Sequence, residues 1–358
     1  MKTTYVSCLL IIVLTAACPG LDEAGEGEGE GEGEGEGEGE GEGEGEGCGT
    51  DQVLGAFALA PGFSVVASAT VSGDVSSVGV SDFNNERRLI ALRNDLAVVD
   101  LGVWPNLVAT PTDLFDARLE ADRGLSGANF EVFPAFLDVD GSRITTAYTR
   151  GSDFNGALGI HDLGTEATNY LTAEGPFGAT TLNGTLLLTA NGVEDVIEGA
   201  GVYAVAANND VSHVASLSEG AFTGGIAVTA SGVLVVEQFV DTGNQLVAFN
   251  PGEVSAALSG SPVDVGSRTP FVSGGVSSLA AMGEGVAVVN IDGSFTTIGV
   301  SFIALPLTNG APTPAAPVAM LFSAQACTSV TAIATFDDDV LVGLSDERGL
   351  RLVQIRAN

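Results

Sequence analysis

A β-hairpin recurs along the chain at intervals of about 50 residues, and few folds accommodate such a repeat. Each copy is a turn of polar residues, usually with glycine, followed by a run of Val, Leu, Ile and Ala. The turn glycines Gly141, Gly184, Gly232 and Gly285 are 43, 48 and 53 residues apart. A polar residue plus glycine between two β-rich runs is a strong hairpin signal. The pattern predicts a chain built from repeated small sheets.

Six such units fit between residue 48 and residue 358. Their second strands are predicted at 88–92, 143–148, 185–189, 233–236, 286–289 and 340–344, and their third strands at 96–100, 157–162, 201–205, 245–249, 300–304 and 350–355. A unit of about 50 residues with several strands is typical of a propeller blade, which cannot bury both faces unless blades stack around an axis. Small first strands such as 225–229 suit the crowded centre of such a ring.

The predicted fold class is therefore all-β, a β-propeller of six blades. A ring of seven blades is one alternative, because the segment 102–131 is long and its strands are ambiguous. A β-sandwich or a β-helix is the alternative fold. Only 113–123 has a trace of helical periodicity. The last unit supplies three strands, and 63–70 is a strand that precedes the first unit. The prediction is that this N-terminal strand completes the last blade and closes the ring.

The blade rhythm resembles that of bacterial β-propellers of the YVTN or WD40-like type, across about 300 residues. The Gly-His and Trp-Asp signatures of true WD40 repeats are absent, and Trp104 is the only Trp in the chain. The resemblance therefore implies a propeller domain at 48–358 without indicating a subfamily.

The first 17 residues have the organisation of an export signal, with Lys2 before an apolar run at 6–14 and the small residues 15–17 before Cys18. The apolar run is about nine residues, whereas a membrane-spanning helix needs about 20. The stretch 14–18 resembles the lipobox of bacterial lipoproteins, with Thr15 where that family usually has Leu. An ordinary signal peptide or an uncleaved apolar N-terminus is the alternative.

The lipobox resemblance implies cleavage before Cys18 and modification of Cys18 by fatty acyl chains such as palmitate. The membrane would then be a partner of the chain through its N-terminal lipid, since several acyl chains make a stable anchor. Pro19, rather than Asp, follows the cysteine, and in that family this favours the outer membrane over the inner one. The expected location is the outer membrane, on its cell-surface or its periplasmic side.

Residues 18–47 are predicted to be the acylated cysteine followed by a disordered linker. Gly and Glu alternate strictly over 25–47, so this segment has no apolar surface to bury. A Gly-rich coil of this length spans about 27 Å on average, and its contour limit is about 80 Å. Repulsion between the glutamates extends the coil beyond the average, so the segment suits a stalk or spacer.

Cys48 and Cys327 remain once Cys8 leaves with the signal and Cys18 takes lipid. An exported chain enters an oxidising compartment, where an even pair is usually bridged. Cys48 shortly precedes the closing strand and Cys327 shortly precedes the last unit. The prediction is a Cys48–Cys327 disulfide that staples the closing blade; two free thiols or an intermolecular bridge are the alternatives.

Candidate chemistry is sparse, and no catalytic residue, metal site or cofactor is assigned. His161 and His213 are the only histidines and lack the spacing of a metal pair. The acidic turns 138–142 and 337–339 resemble the start of a calcium loop, without the later Asp and bidentate Glu of an EF-hand. Asp and Gly are also expected in tight turns for backbone reasons. The acidic loop 191–198 is expected to be a solvated insertion.

A net charge of −34, from 46 acidic and 12 basic residues, argues against nucleic acid as a partner. The leading hypothesis is a non-enzymatic, lipid-anchored propeller of the cell envelope that acts as a binding or scaffold module for a protein or small molecule. One alternative is a lyase or hydrolase with a carboxylate and His161 in the central funnel. Another is a calcium-stabilised surface protein.

Overall fold

The computed structural model describes residues 57–71, 73–129, 131–194, 196, 199–291, 297–323, 329–346 and 349–358. The first strands in chain order are β1 (Phe57–Leu59), β2 (Phe63–Val71), β3 (Val75–Ser81), β4 (Arg88–Arg93), β5 (Ala97–Val103), β6 (Asn106–Asp116), β7 (Val132–Asp140), β8 (Arg143–Arg150), β9 (Asn155–Asp162), β10 (Ala167–Glu174), β11 (Gly178–Leu182), β12 (Thr185–Ala190), β13 (Gly192–Val193), β14 (Gly201–Val205) and β15 (Val211–Ser216). The remaining strands are β16 (Phe222–Val228), β17 (Leu234–Val240), β18 (Gly243–Phe249), β19 (Val263–Asp264), β20 (Val272–Ser273), β21 (Val276–Met282), β22 (Gly285–Ile291), β23 (Thr297–Ala304), β24 (Leu307–Thr308), β25 (Ala311–Pro312), β26 (Val318–Ser323), β27 (Ser329–Phe336), β28 (Asp339–Asp346) and β29 (Gly349–Ala357).

The strands form six antiparallel sheets of four or five strands and one small hairpin, β24–β25. Blade one is β3–β6, blade two is β7–β10 with β13, and blade three is β11, β12, β14 and β15 with β19 in parallel. Blade four is β16–β18 with β20, blade five is β21, β22, β23, β26 and β1, and blade six is β27, β28, β29 and β2. The first strand of each blade contacts the first strands of both neighbouring blades, which closes the ring. The fold is a six-bladed β-propeller, so the predicted class and blade count are confirmed.

The predicted hairpins are also confirmed, because each predicted second and third strand coincides with a strand of its blade. Asn183 and Gly184 illustrate the local cause, since both have positive φ, 49° and 78°. Such angles match a type I′ turn, whose twist fits the two flanking strands. The turns between first and second strands all lie on one side of the ring, which we call the hairpin face.

Closure of the ring occurs as predicted. Strand β2 pairs antiparallel with β29, from Phe63 opposite Ala357 to Val71 opposite Leu350. This N-terminal strand is therefore the outermost strand of blade six. Ahead of it, β1 adds to the outer edge of blade five, where Phe57 pairs with Ser323.

The core consists of six apolar clusters, and each lies between two adjacent blades. Strand β12 shows why, because Leu186 and Leu188 face blade two whereas Leu187 faces blade four. Successive residues of a strand point to opposite faces. Both faces of a blade are covered, so its strands are continuous apolar runs.

Two local expectations differ from the structure. The segment 113–123 is not a helix, because β6 continues to Asp116 and a short 3-10 turn follows at Glu120–Asp122. Further 3-10 turns are Phe83–Asn85, Gly127–Asn129 and Val265–Ser267.

The α-helix of the described chain, α1 (Pro251–Leu258), was not predicted. Asn250 and Glu253 exchange side chain–backbone hydrogen bonds in a capping box at its start, and Pro251 lies at its first turn. Among the described residues, none belongs to a helix with the length and apolar character needed to cross a membrane.

Candidate functional site

A cleft of about 270 Å³ opens between blades two and three on the hairpin face. Polar side chains line its rim and apolar side chains form its floor. The rim contains Arg143, Asp162, Thr165, Asn169 and Asn209, and the floor contains Ile160, Leu186 and Val205. Polar groups placed around an apolar base are typical of sites that bind small molecules.

Arg143 joins the two blades at the inner end of this cleft. Its Nη1 donates to the Gly184 carbonyl at 3.1 Å, and its Nη2 donates to Thr181 Oγ1 at 3.0 Å. The Nη2 also lies 3.6 Å from Asp140 Oδ2. The Nε is buried and has no acceptor among the described residues. The guanidinium is therefore held in place on one side by contacts with the first hairpin of blade three.

Asp162 supplies a carboxylate to the same cleft. Its Oδ2 accepts a hydrogen bond from Ser142 Oγ at 2.8 Å, and its Oδ1 accepts from Thr165 N at 2.8 Å and Oγ1 at 3.0 Å. These hydrogen bonds lower the pKa of Asp162 below its ordinary value, led by that from Ser142. The cleft therefore carries one fixed cation and one fixed anion, suited to binding a polar molecule.

The turn 138–142, interpreted above as a possible calcium loop, lies beside this cleft. The guanidinium of Arg143 lies next to its carboxylates. Asp138 Oδ2 accepts from Thr181 Oγ1 at 2.9 Å, and burial raises the pKa of Asp138 to about 6 despite the nearby Arg143. Asp140 is exposed. A guanidinium next to both carboxylates disfavours a calcium ion at the same position. No group of three or more His, Cys, Asp and Glu side chains in the described ranges is placed to hold a metal ion.

The second acidic turn, 337–339, also binds arginine side chains. The buried Asp339 accepts from Arg356 Nε at 2.8 Å and Nη2 at 2.9 Å, and Asp337 pairs with Arg87 at 2.7 Å. In the acidic loop 191–198, which is described only in part, Glu194 Oε1 accepts from the Thr172 N–H at 2.8 Å. These acids stabilise contacts within and between blades.

The two histidines lie outside the central funnel. The ring of His161 stacks on Phe115 at 4.6 Å, and its Nδ1 is 2.9 Å from Thr168 Oγ1. Phe115 belongs to the outermost strand of blade one and Thr168 to the fourth strand of blade two, and burial lowers the pKa of His161. The alternative that placed His161 in the central funnel does not fit this position, because β9 is the third strand of its blade.

His213 lies on β15, the fourth strand of blade three, with its ring 5.3 Å from that of Tyr203. The structure thus separates the two histidines rather than bringing them together.

Sequence reasoning did not single out the cleft residues Arg143, Asn169 and Asn209. A signal was available for Arg143 only, as a charged residue that begins an otherwise apolar second strand. Asn169 comes from the fourth strand of the same blade as Arg143, and Asn209 joins them only because blades two and three pack side by side. Cys18, Cys48 and Cys327, with the signal peptide and the linker, lie outside the described residues.

Comparison with known proteins gave no matching family model and no matching curated protein. Among solved structures, the chain is similar to the RRP9 WD40 repeats, with 10% identity, 82% of this chain and 100% of that chain covered, and a TM-score of 0.44. It is similar to a streptogramin B lyase, with 11% identity, coverages of 83% and 98%, and a TM-score of 0.44. It is also similar to virginiamycin B lyase from Staphylococcus aureus, with 12% identity, coverages of 82% and 99%, and a TM-score of 0.43. The propeller assignment rests on the strand topology itself.

Proposed function

We propose that this chain is a lipid-anchored binding module of the bacterial cell envelope, with its ligand site in the cleft between blades two and three. The observation that carries the binding role is a cleft of about 270 Å³ in which Arg143 and Asp162, neighbours on adjacent strands of blade two, lie beside an apolar floor. Small, polar molecules that carry hydrogen-bonding groups on an apolar frame match this lining.

The position of the N-terminal strand supports a tether that leaves the cleft accessible. Strand β1 lies at the outer edge of blade five, which is across the six-membered ring from blade two. Phe57 is at the end of β1 farther from the hairpin face, because β1 runs antiparallel to β26. A linker attached at Phe57 would therefore leave the ring on the side opposite the cleft.

The anchoring half of the proposal is tested by Cys18→Ser in the full precursor. The variant should move from the membrane fraction to the soluble fraction, because no acyl chain can be attached. Cys48→Ser is the matched control and should stay in the membrane fraction. Membrane retention of Cys18→Ser at the level of the unsubstituted protein would refute lipid anchoring.

The binding half is tested by thermal unfolding in the presence of amino acids, dicarboxylic acids and monosaccharides. A ligand at about 100 times its Kd stabilises the folded state by about 2.7 kcal/mol, which is a shift of a few degrees. Arg143→Met should abolish that shift, and Arg93→Met, at an exposed arginine paired with Asp95, should preserve it. A shift that survives Arg143→Met would place binding elsewhere.

A further inference from the structure

Each blade ends in one outermost strand, and in five of the six blades that strand is short or contains proline and charged residues. An edge strand presents unpaired backbone N–H and C=O groups, and proteins limit this exposure with short strands, prolines or charged residues. The edges of blades two, three, four and five are β13, β19, β20 and β1, which are two or three residues long. The edge of blade one, β6, has eleven residues and contains Pro111, Asp113 and Asp116.

The edge of blade six lacks these features. Strand β2 has nine residues, Phe63–Val71, and contains no proline and no charged residue. Within the described part of the chain it pairs with β29 alone. Val66 is 44% exposed, and Ser68 and Thr70 are exposed as well. An edge of this length, rich in Val, Ala, Ser and Thr, can accept another strand.

We propose that the outer edge of β2 binds an extended segment of a basic polypeptide, which adds to blade six as a fifth strand. Blade five already accepts a fifth strand, β1, so the architecture tolerates the addition. This site is separate from the cleft and depends neither on the ligand proposed there nor on the lipid anchor.

The net charge of the chain determines which kind of polypeptide the β2 edge attracts. A net charge of −34 attracts a cationic chain over long range, whereas a second copy of this chain would be repelled. Arg351 and Arg356 of β29 lie opposite Thr70 and Ser64, so the attraction of a basic partner comes from the net charge at long range, and backbone hydrogen bonds provide the docking. The partner is therefore a strand of uncharged residues flanked by Lys or Arg.

The bulge in β2 limits the docking segment. The register with β29 shifts between Val65 and Ala67, which leaves Val66 outside the ladder. A bulge bends the strand and interrupts regular pairing. The five residues from Ala67 to Val71 form the regular part of the edge, and the added strand pairs there.

The test uses the full processed chain in detergent and, as probe, a synthetic peptide that contains the nine residues of β2 with two added lysines at each end. Hydrogen–deuterium exchange should show new protection of amides within 63–71 and none in β6. A probe with alternate backbone nitrogens methylated should bind at least about tenfold more weakly, because it loses several hydrogen bonds. A probe flanked by glutamates should also bind more weakly, and this difference should shrink at high salt.

Ser68→Lys places a charge on this edge, the device that other edge strands use. It should weaken binding of a serine-flanked form of the probe at least about tenfold, while Thr112→Lys on β6 should leave binding unchanged. Equal thermal unfolding of both variants would show that folding is intact.

Two outcomes would overturn the proposal. One is an absence of protection in β2 at saturating probe, and the other is equal binding of the methylated probe. Concentration-dependent dimers that Ser68→Lys abolishes would instead identify a second copy of the chain as the occupant.

Discussion

The indole Nε1–H of Trp104 donates a hydrogen bond to Gln354 Oε1 at 2.9 Å, although 250 residues separate them. Trp104 follows the third strand of blade one, and Gln354 lies on the third strand of blade six. Gln354 Nε2 donates in turn to Asp339, which also accepts from Arg356. This chain of hydrogen bonds connects the first blade to the last beside the strand that closes the ring.

Removing one member of this connection should destabilise the propeller. Gln354→Leu leaves the buried Trp104 donor without an acceptor, which costs about 1–3 kcal/mol. Trp104→Phe should cost a similar amount or more, because it also removes apolar contacts with Phe336. Urea unfolding followed by far-UV circular dichroism measures both. The double variant should cost less than the sum of the single variants; strict additivity would mean that the two side chains are not coupled.

Ionisation of the Glu237 carboxyl should lower the free energy of unfolding as pH rises. Burial raises the pKa of this carboxyl above its ordinary value, although Gly225 N–H and Asn244 Nδ2 donate to it at 2.9 and 3.0 Å. The unfolded chain therefore loses the proton at lower pH than the folded chain, and folding loses stability between the two pKa values.

Glu237→Gln should accordingly gain stability relative to the unsubstituted protein as pH rises from about 4 towards neutral. Thermal unfolding across that range measures the difference. The exposed Glu219→Gln is the control and should show no such trend. A constant difference at every pH would contradict the assignment of the effect to ionisation of Glu237.

Deleting residues 28–44 should leave the melting temperature of the propeller unchanged, because alternating Gly and Glu bury no apolar surface. Calorimetry of the full and shortened chains makes the comparison. A decrease of several degrees would mean that this segment packs on the propeller.

If the chain is exported as proposed, Cys48 and Cys327 should form a disulfide. Phe57 pairs with Ser323, and these residues are nine and four positions from the two cysteines. A bridge closing a loop of about 280 residues is worth on the order of 5 kcal/mol as an upper bound. Mass spectrometry of a non-reduced digest should contain the linked peptides. Alkylation of both cysteines in the folded, non-reduced protein would exclude the bridge.

The hairpins could be predicted from sequence because their causes are local. Asn183-Gly184 supplies the positive φ of its turn, and the apolar runs on either side have the length of strands. Helix α1 also had a local signal, the capping box Asn250-Pro251-Gly252-Glu253, but it is a single short element within a regular β repeat. The helical expectation for 113–123 is wrong because its apolar residues, among them Leu114, Ala117 and Leu119, contribute to the cluster between blades one and two.

The role of individual polar side chains could not be predicted in the same way. The sequence places aspartates in turns, where backbone preference alone would put them. Arg143 lies beside Asp140 within one hairpin and Arg356 reaches Asp339 from the next strand of blade six, whereas only the folded ring brings Arg87 of blade one to Asp337 of blade six. Those contacts place an arginine beside each acidic turn.

By itself the sequence determined the repeat, the class of fold and the strand that closes the ring, because turn chemistry and apolar runs act over a few residues, and it favoured six blades over seven. The tertiary structure decided which side chains meet between blades. Trp104 reaches Gln354, Arg143 reaches Thr181 and Gly184 in blade three, and His161 stacks on Phe115 away from the axis. Such contacts depend on how neighbouring blades pack against each other. No local sequence pattern predicts this packing, because the residues involved are far apart in the chain.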